Sequence, residues 1–186
     1  VITGTSLIEA DSRKQTLKMM VHAQKNDCKV WLDLDYRPWN WPDQQTTRLV
    51  YQEAAEFTNV LVGNEEEFKI LQEDINIQIS QCEANKQLMI LKRGKNGCSL
   101  FFGNDRLDAG IYNLPALKPY GSGDAFLGNV IINYMSSGDW QLAIEAGSAA
   151  AALVVSKQGC ASAMPKMEEI ELLQKNTTIK PKTIWS

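Results

Sequence analysis

The stretch Asn59-Val60-Leu61-Val62-Gly63-Asn64-Glu65-Glu66-Glu67-Phe68-Lys69-Ile70-Leu71 decides the fold class. Asn59 to Val62 reads as a short buried strand, because four residues rich in β-branched and aliphatic side chains suit a pleated core. Asn64 to Leu71 follows at once as a short helix. The same alternation extends to both sides. Upstream, Glu9 to Asn26 is helical, with Leu17, Met20, Val21 and Gln24 at i, i+3, i+4, i+7 spacing. Lys29 to Asp33 is a strand, and Pro42-Asp43 opens a helix that runs to Phe57. Downstream, Leu88 to Leu91 is a strand. Cys98 to Phe102 and Arg106 to Leu114 form a hairpin around Gly103-Asn104-Asp105. Ser122 to Ser136 and Trp140 to Ser156 are helices, Asp139 capping the second, and Glu168 to Lys175 is the last helix. Strands that alternate with helices imply β-α-β units, hence a three-layer α/β fold with a mostly parallel sheet. Ligands of such sheets sit at the carboxyl ends of the strands.

The chain has 186 residues, the length of one domain. With 44% hydrophobic and 22% charged residues it is neither disordered nor collagen-like, and it can bury a core without staples. A net charge of −3 gives no basic field to recruit nucleic acid. No apolar run reaches the ~18 residues of a membrane helix. Cys28, Cys82, Cys98 and Cys160 show no C-x-x-C spacing, and His22 is the only histidine. A zinc site or a Cys/His nucleophile is poorly supported, and the cysteines read as reduced thiols of a cytoplasmic protein. The start, Val1-Ile2-Thr3-Gly4-Thr5-Ser6, lacks an initiator methionine and reads as a strand and loop entered partway through a fold.

Chemistry concentrates in Tyr120-Gly121-Ser122-Gly123-Asp124-Ala125-Phe126-Leu127-Gly128. A Gly-Ser-Gly turn lets backbone N–H groups converge, and a helix N-terminus adds partial positive charge, so the turn suits an anion. Asp124 either complements the helix dipole or takes a proton from a hydroxyl that attacks phosphorus; both readings stand on this stretch alone. A dinucleotide fingerprint fits poorly, because Phe126 occupies the third glycine position. A Walker A loop is excluded, because no Gly-Lys-Ser/Thr closes it.

At this stretch the chain resembles the PfkB/ribokinase family of sugar kinases, whose C-terminal motif is Gly-Ala-Gly-Asp-Ala-Phe. Here it reads Gly-Ser-Gly-Asp-Ala-Phe. Asn64-Glu65-Glu66-Glu67 is similar to the family's Asn-x-x-Glu motif, and Lys92-Arg93-Gly94-Lys95-Asn96-Gly97 to its strand-end glycine motif. Ala146 to Gly159 is similar to its small-residue helix and loop beside the adenine pocket, and all four follow the family's order. Asp33-Leu34-Asp35-Tyr36-Arg37-Pro38-Trp39 resembles the inositol-catabolic branch, which acts on 5-dehydro-2-deoxygluconate. A close variant with Asn at the third position typifies the 2-keto-3-deoxygluconate branch.

The resemblance implies ATP-dependent phosphoryl transfer to a deoxy keto-acid sugar, with ATP and Mg²⁺ as cofactors. It implies Asp124 as general base and the amides of Gly121, Ser122 and Gly123 as anion hole. Asn64 and Glu67 are expected near the phosphates and metal, with Glu67 acting on Mg²⁺ through water; the same spacing fits an N-cap Asn64 boxed by Glu67. Lys92, Gly94, Gly97 and Ser148 are expected at the nucleotide, although Lys92 could equally be solvated and the glycines could serve a plain turn. Arg37, with Asp35, is expected at the substrate carboxylate, or else in a loop ion pair. Trp39 and Trp41 could shape the sugar pocket or simply pack. The resemblance also implies a small sugar-acid partner, with neither nucleic acid nor membrane, and leaves the oligomeric state open. Residues 1–175 are expected to be the C-terminal portion of a PfkB-type kinase domain and 176–186 a polar tail. The family's first strands, sugar-contacting glycine pair and β lid have no counterpart here. Leu7, Ile8 and Trp31 are therefore expected to face solvent, and the isolated piece to be inactive. A non-catalytic sugar- or nucleotide-sensing module on the same fold is the alternative from another class.

Overall fold

A computed structural model describes residues 1–118 and 120–177. The polar tail expected at 176–186 lies almost wholly outside the described residues. In chain order the regular elements are β1 (Ile2–Thr3), α1 (Ala10–Lys25), β2 (Trp31–Asp33), α2 (Gln44–Ala55), β3 (Val60–Asn64), α3 (Glu65–Leu71), α4 (Ile75–Ala84) and β4 (Leu88–Lys92). They continue with β5 (Cys98–Phe102), β6 (Asp105–Ala109), α5 (Ser122–Ser137), α6 (Trp140–Val155) and α7 (Met167–Asn176). The strands form one sheet in the order β1-β2-β3-β4-β5-β6. The pairs β1–β2, β2–β3 and β3–β4 are parallel, with Leu32 opposite Leu61 and Asn64 opposite Lys92. This is the α/β architecture that the alternating pattern predicts.

The described residues divide into two compact units. The first comprises Val1–Lys92 with Leu100–Arg106, and the second Arg93–Ser99 with the chain from Leu107 onward. In the first unit Leu32, Leu61, Met89 and Leu91 of the strands pack with Met20, Val50, Tyr51, Phe68 and Cys82 of the helices. In the second, Ala125 of α5 packs with Ala146, Ala149 and Ala150 of α6, together with Tyr112 and Ile170.

Side-chain caps set helix starts where the sequence places them. Asp43 accepts the Thr46 N–H at 2.7 Å and Asp139 the Leu142 N–H at 3.1 Å. Three expectations need correction. The sequence pattern gives no helix between Leu71 and Leu88, yet α4 forms there behind the Asp74 cap, burying Gln78 and Cys82. The second hairpin strand ends at Ala109 rather than Leu114, and Tyr112 leaves the sheet for the α6–α7 core. Leu7 (0% exposed) and Trp31 (7% exposed) are buried and Ile8 packs against the first core, so none of the three faces solvent. The 3₁₀ turn Gly4–Leu7 folds Leu7 inward beneath α1.

Candidate active site

In the first unit the ends of three neighbouring strands gather polar and charged side chains. Asp33 closes β2, Asn64 closes β3 and Lys92 closes β4. Asn64 caps α3: its Oδ1 accepts the Glu67 N–H at 2.9 Å, and Glu67 Oε2 accepts the Asn64 N–H at 2.7 Å. The capping box that the spacing permits is therefore formed, and it leaves Glu67 buried. The second Glu67 oxygen accepts the Tyr36 N–H at 3.2 Å, from the loop that follows β2. Lys92 is not solvated. Its Nζ lies 2.9 Å from Asp33 Oδ1 and 4.0 Å from Glu67 Oε2, with the side chain 19% exposed. Burial pushes the Glu67 carboxyl above its ordinary range, while the Lys92 ammonium and the Asn64 N–H pull it back.

The loop after β2 is held from both sides. Leu34 O accepts the Tyr51 hydroxyl at 2.6 Å, and Gly4 packs so closely that a Cβ there would lie 2.0 Å from the same oxygen. Between Leu34 and Tyr36, Asp35 has φ +37°, a left-handed conformation that Asp and Asn tolerate better than other side chains. Arg37 Nη2 pairs with Asp35 Oδ1 at 2.6 Å and its side chain stays 49% exposed. The loop ion pair is thus present, on a side chain that stays half-exposed. Of the two tryptophans, Trp41 packs edge-on to Tyr51 with ring centroids 5.5 Å apart. Trp39 projects outward.

In the second unit α5 opens as the sequence implies. Gly121 is its N-cap with φ +83°, and the first intrahelical bond runs from the Ala125 N–H to Gly121 O. The N–H groups of the first turn have no acceptor within the helix, and Gly121 offers no side-chain cap. A side chain at Gly121 would meet Cys160 Sγ at 2.9 Å. Asp124 is exposed, with no hydrogen-bond or ion-pair partner among the described residues. The glycine turn after β4 is closed by Arg93 N–H donating to Gly97 O at 2.8 Å and Gly97 N–H to Gly94 O at 3.1 Å. Its two glycines differ. Gly97 has φ +83° and a Cβ would lie 2.0 Å from Ala109 O, whereas nothing lies within 4 Å of a Cβ at Gly94. Ser148 is buried in α6 and hydrogen-bonds the Cys98 thiol, which burial pushes up to about 12. Arg93 and Ser99 both bond Asp108, whose backbone oxygen accepts Gln141 Nε2 at 3.2 Å.

Asn64, Glu67, Lys92, Asp35 and Arg37 thus belong to one unit, and Gly94, Gly97, Gly121, Ser122, Gly123, Asp124 and Ser148 to the other. Asp33, Tyr51 and Gly4 do not stand out in the sequence as supports of the loop. Only the Asp33 motif position hints at one. Among the described residues no group of three or more His, Cys, Asp or Glu is placed to hold a metal ion, and no helix is long and apolar enough to cross a membrane.

Comparison with known proteins completes the description. The family profile described as pfkB family carbohydrate kinase matches residues 1–167. The chain is 35% identical over 177 residues to 5-dehydro-2-deoxygluconokinase of Photobacterium profundum, covering 90% of this chain and 54% of the relative. It is 33% identical over 187 residues to the protein of the same name from Halalkalibacterium halodurans, covering 96% of this chain and 56% of the relative. The chain therefore spans about half the length of the curated relatives it matches. Among solved structures, fructokinase with bound ATP from Xylella fastidiosa superposes with a TM-score of 0.86 at 21% identity, covering 94% of this chain and 61% of that one. Vibrio cholerae fructokinase in its fructose-, ADP- and calcium-bound form gives 0.84 at 19%, covering 92% and 58%. The fold is thus ribokinase-like.

Proposed function

Because the chain belongs to the pfkB family of carbohydrate kinases, we propose that the full-length protein transfers the γ-phosphoryl group of ATP to a hydroxyl of a deoxy keto-acid sugar. The names of the relatives at 35% and 33% identity support 5-dehydro-2-deoxygluconate as acceptor. The observation that carries the reading is Asp124, exposed and without a partner among the described residues, in the first turn of a helix entered through left-handed Gly121.

In this reaction the acceptor oxygen attacks the γ-phosphorus, and the Asp124 carboxylate takes the hydroxyl proton. The bond from the γ-phosphorus to the bridging oxygen breaks, and ADP leaves. Charge grows on the transferred group, and the amides of Gly121, Ser122 and Gly123 are the donors assigned to it. Such preorganised donors contribute where charge appears, at about 10²–10³-fold in rate each. Mg²⁺ bound with the nucleotide supplies neutralisation of phosphate charge. Glu67 suits that ion only through water, since each of its oxygens already accepts an N–H. Asn64 holds the same turn as cap. Open backbone at Gly94 is available to the nucleotide, while Gly97 and Ser148 are engaged with Ala109 and Cys98 and support the turn. Lys92, whose Nζ lies 2.9 Å from Asp33 Oδ1, is assigned to that carboxylate rather than to a phosphate. The guanidinium of the half-exposed Arg37 side chain, paired with Asp35, is assigned to the acceptor carboxylate, which a planar fork can bind with two hydrogen bonds.

A panel of sugar acids with the full-length protein and ATP tests the assignment, with 2-keto-3-deoxygluconate as the comparison acceptor. Asp124→Asn is expected to lower kcat by about 10²–10⁴-fold with ATP affinity retained, because an amide cannot take the proton. Wild-type turnover in that variant, or no sugar acid accepted by the wild type, refutes the reading.

A further inference from the structure

We infer that Lys92 is a positioning residue that fixes the Asp35–Arg37 loop through Glu67. Its catalytic consequence rests on the sugar-acid kinase reading above, but the geometry behind it lies within one unit. Lys92 reaches from the end of β4 across β3 to Asp33 at the end of β2, 59 residues away in sequence. In register, Asn64 of β3 lies opposite Lys92. The ammonium therefore stands over the strand end from which α3 starts, beside both buried carboxylates: 2.9 Å from Asp33 and 4.0 Å from Glu67.

Glu67 is what makes this more than a local ion pair. One of its oxygens closes the cap of its own helix on the Asn64 N–H, and the other holds the Tyr36 N–H, 31 residues upstream. Only an acceptor with two free oxygens does both; an amide offers one oxygen and turns N–H donors toward the other N–H. On the loop, Leu34 O is pinned by Tyr51 and Tyr36 N by Glu67, so Asp35 is held left-handed between two fixed neighbours and its pairing with Arg37 follows. Without the ammonium, Asp33 and Glu67 are two buried carboxylates with no counter-charge between them. Glu67 relieves that repulsion by turning away from the N–H groups it accepts, and the loop loses one of its two pins.

The test uses the full-length protein with Lys92→Met, which keeps the length and removes the charge, and with Lys92→Arg. Hydrogen exchange of the Tyr36 amide reads the tie without any need for activity. In Lys92→Met it is expected to exchange about tenfold faster or more, with the circular dichroism unchanged, and Lys92→Arg is expected to restore most of the protection. In steady-state kinetics, Lys92→Met is expected to raise KM for the sugar acid about tenfold while moving KM for ATP by less than about twofold. Unchanged Tyr36 protection overturns the inference. So does a rise in KM for ATP alone, which would put Lys92 on the phosphates directly. If the wild type phosphorylates no sugar acid, the kinase reading fails while the exchange measurement still decides the tie. Lys92→Gln is read in the same way should the Met variant not fold.

Discussion

Gly97→Ala is expected to be among the most damaging single-methyl additions in this chain, and Gly94→Ala, three residues away in the same motif, among the mildest. At Gly97 two costs add. The backbone, at φ +83° and ψ −144°, lies where essentially only glycine is comfortable, at about 1–3 kcal/mol for another residue. The new Cβ would also stand 2.0 Å from Ala109 O and 3.0 Å from Gly110 Cα. Both are backbone atoms, so no rotamer change relieves the overlap, and a further ~1–3 kcal/mol follows from overpacking. The sum is about 2–6 kcal/mol. At Gly94 the Cβ meets nothing within 4 Å, and only the left-handed cost remains, about 1–2 kcal/mol. Urea denaturation of the two variants, followed by far-ultraviolet circular dichroism, measures both. In the full-length protein Gly94→Ala is further expected to weaken ATP binding out of proportion to its stability loss, because its open side is the surface left for a ligand. Equal stability losses in the two variants, or Gly97→Ala within about 1 kcal/mol of wild type, would refute the division of labour between a glycine the hairpin needs and a glycine a ligand needs.

Two further outcomes follow from burial and capping. A thiol reagent should modify Cys28 and Cys160 in the native chain and reach Cys82 and Cys98 only after denaturation, since the last two are buried and burial raises both thiols; rapid modification of four thiols without denaturant contradicts this. The hydrogen bonds from Thr46 hold the Asp43 carboxyl below its ordinary value of 3.8, so its contribution to stability is present above 3.8 and is lost as pH falls through the lowered folded value. The deficit of Asp43→Ala relative to wild type should therefore shrink on acidification through that window, as denaturation curves across pH would record, and a deficit that grows there would contradict the sign.

Much of the fold is legible in the sequence because local chemistry and burial agree. Val60–Val62 and Leu88–Leu91 are apolar runs buried on both faces, and Asp43, Asn64 and Asp139 stand where a helix start needs a side-chain acceptor. The missed helix α4 shows where agreement fails. Ile75, Ile77 and Ile79 alternate as a strand would, and the buried helical stripe is completed by Gln78 and Cys82, whose side chains bond each other at 3.3 Å instead of advertising an apolar face. The Gly121–Asp124 turn is legible because its conformation is local. The junction of Asp33, Glu67 and Lys92 is not, because three residues spread over 60 positions become neighbours only once β2, β3 and β4 are aligned in register. Asp35 lies between these cases: an Asp or Asn in that motif position is readable, and the left-handed backbone gives the reason for both.

The two tryptophans of the loop after β2 also make it its own optical probe. Trp39 is 76% exposed while Trp41, two residues on, is 7% exposed, and Trp31 is buried in the strand before them. With Trp140 and Trp185 replaced by Phe, an aqueous quencher such as iodide therefore reaches Trp39 and spares Trp31 and Trp41. Emission from the shielded indoles reports the integrity of the loop's footing, and the quenchable fraction reports what happens at its outer surface, two residues from Arg37. One unlabelled sample thus separates a ligand that covers the loop from a change that loosens it.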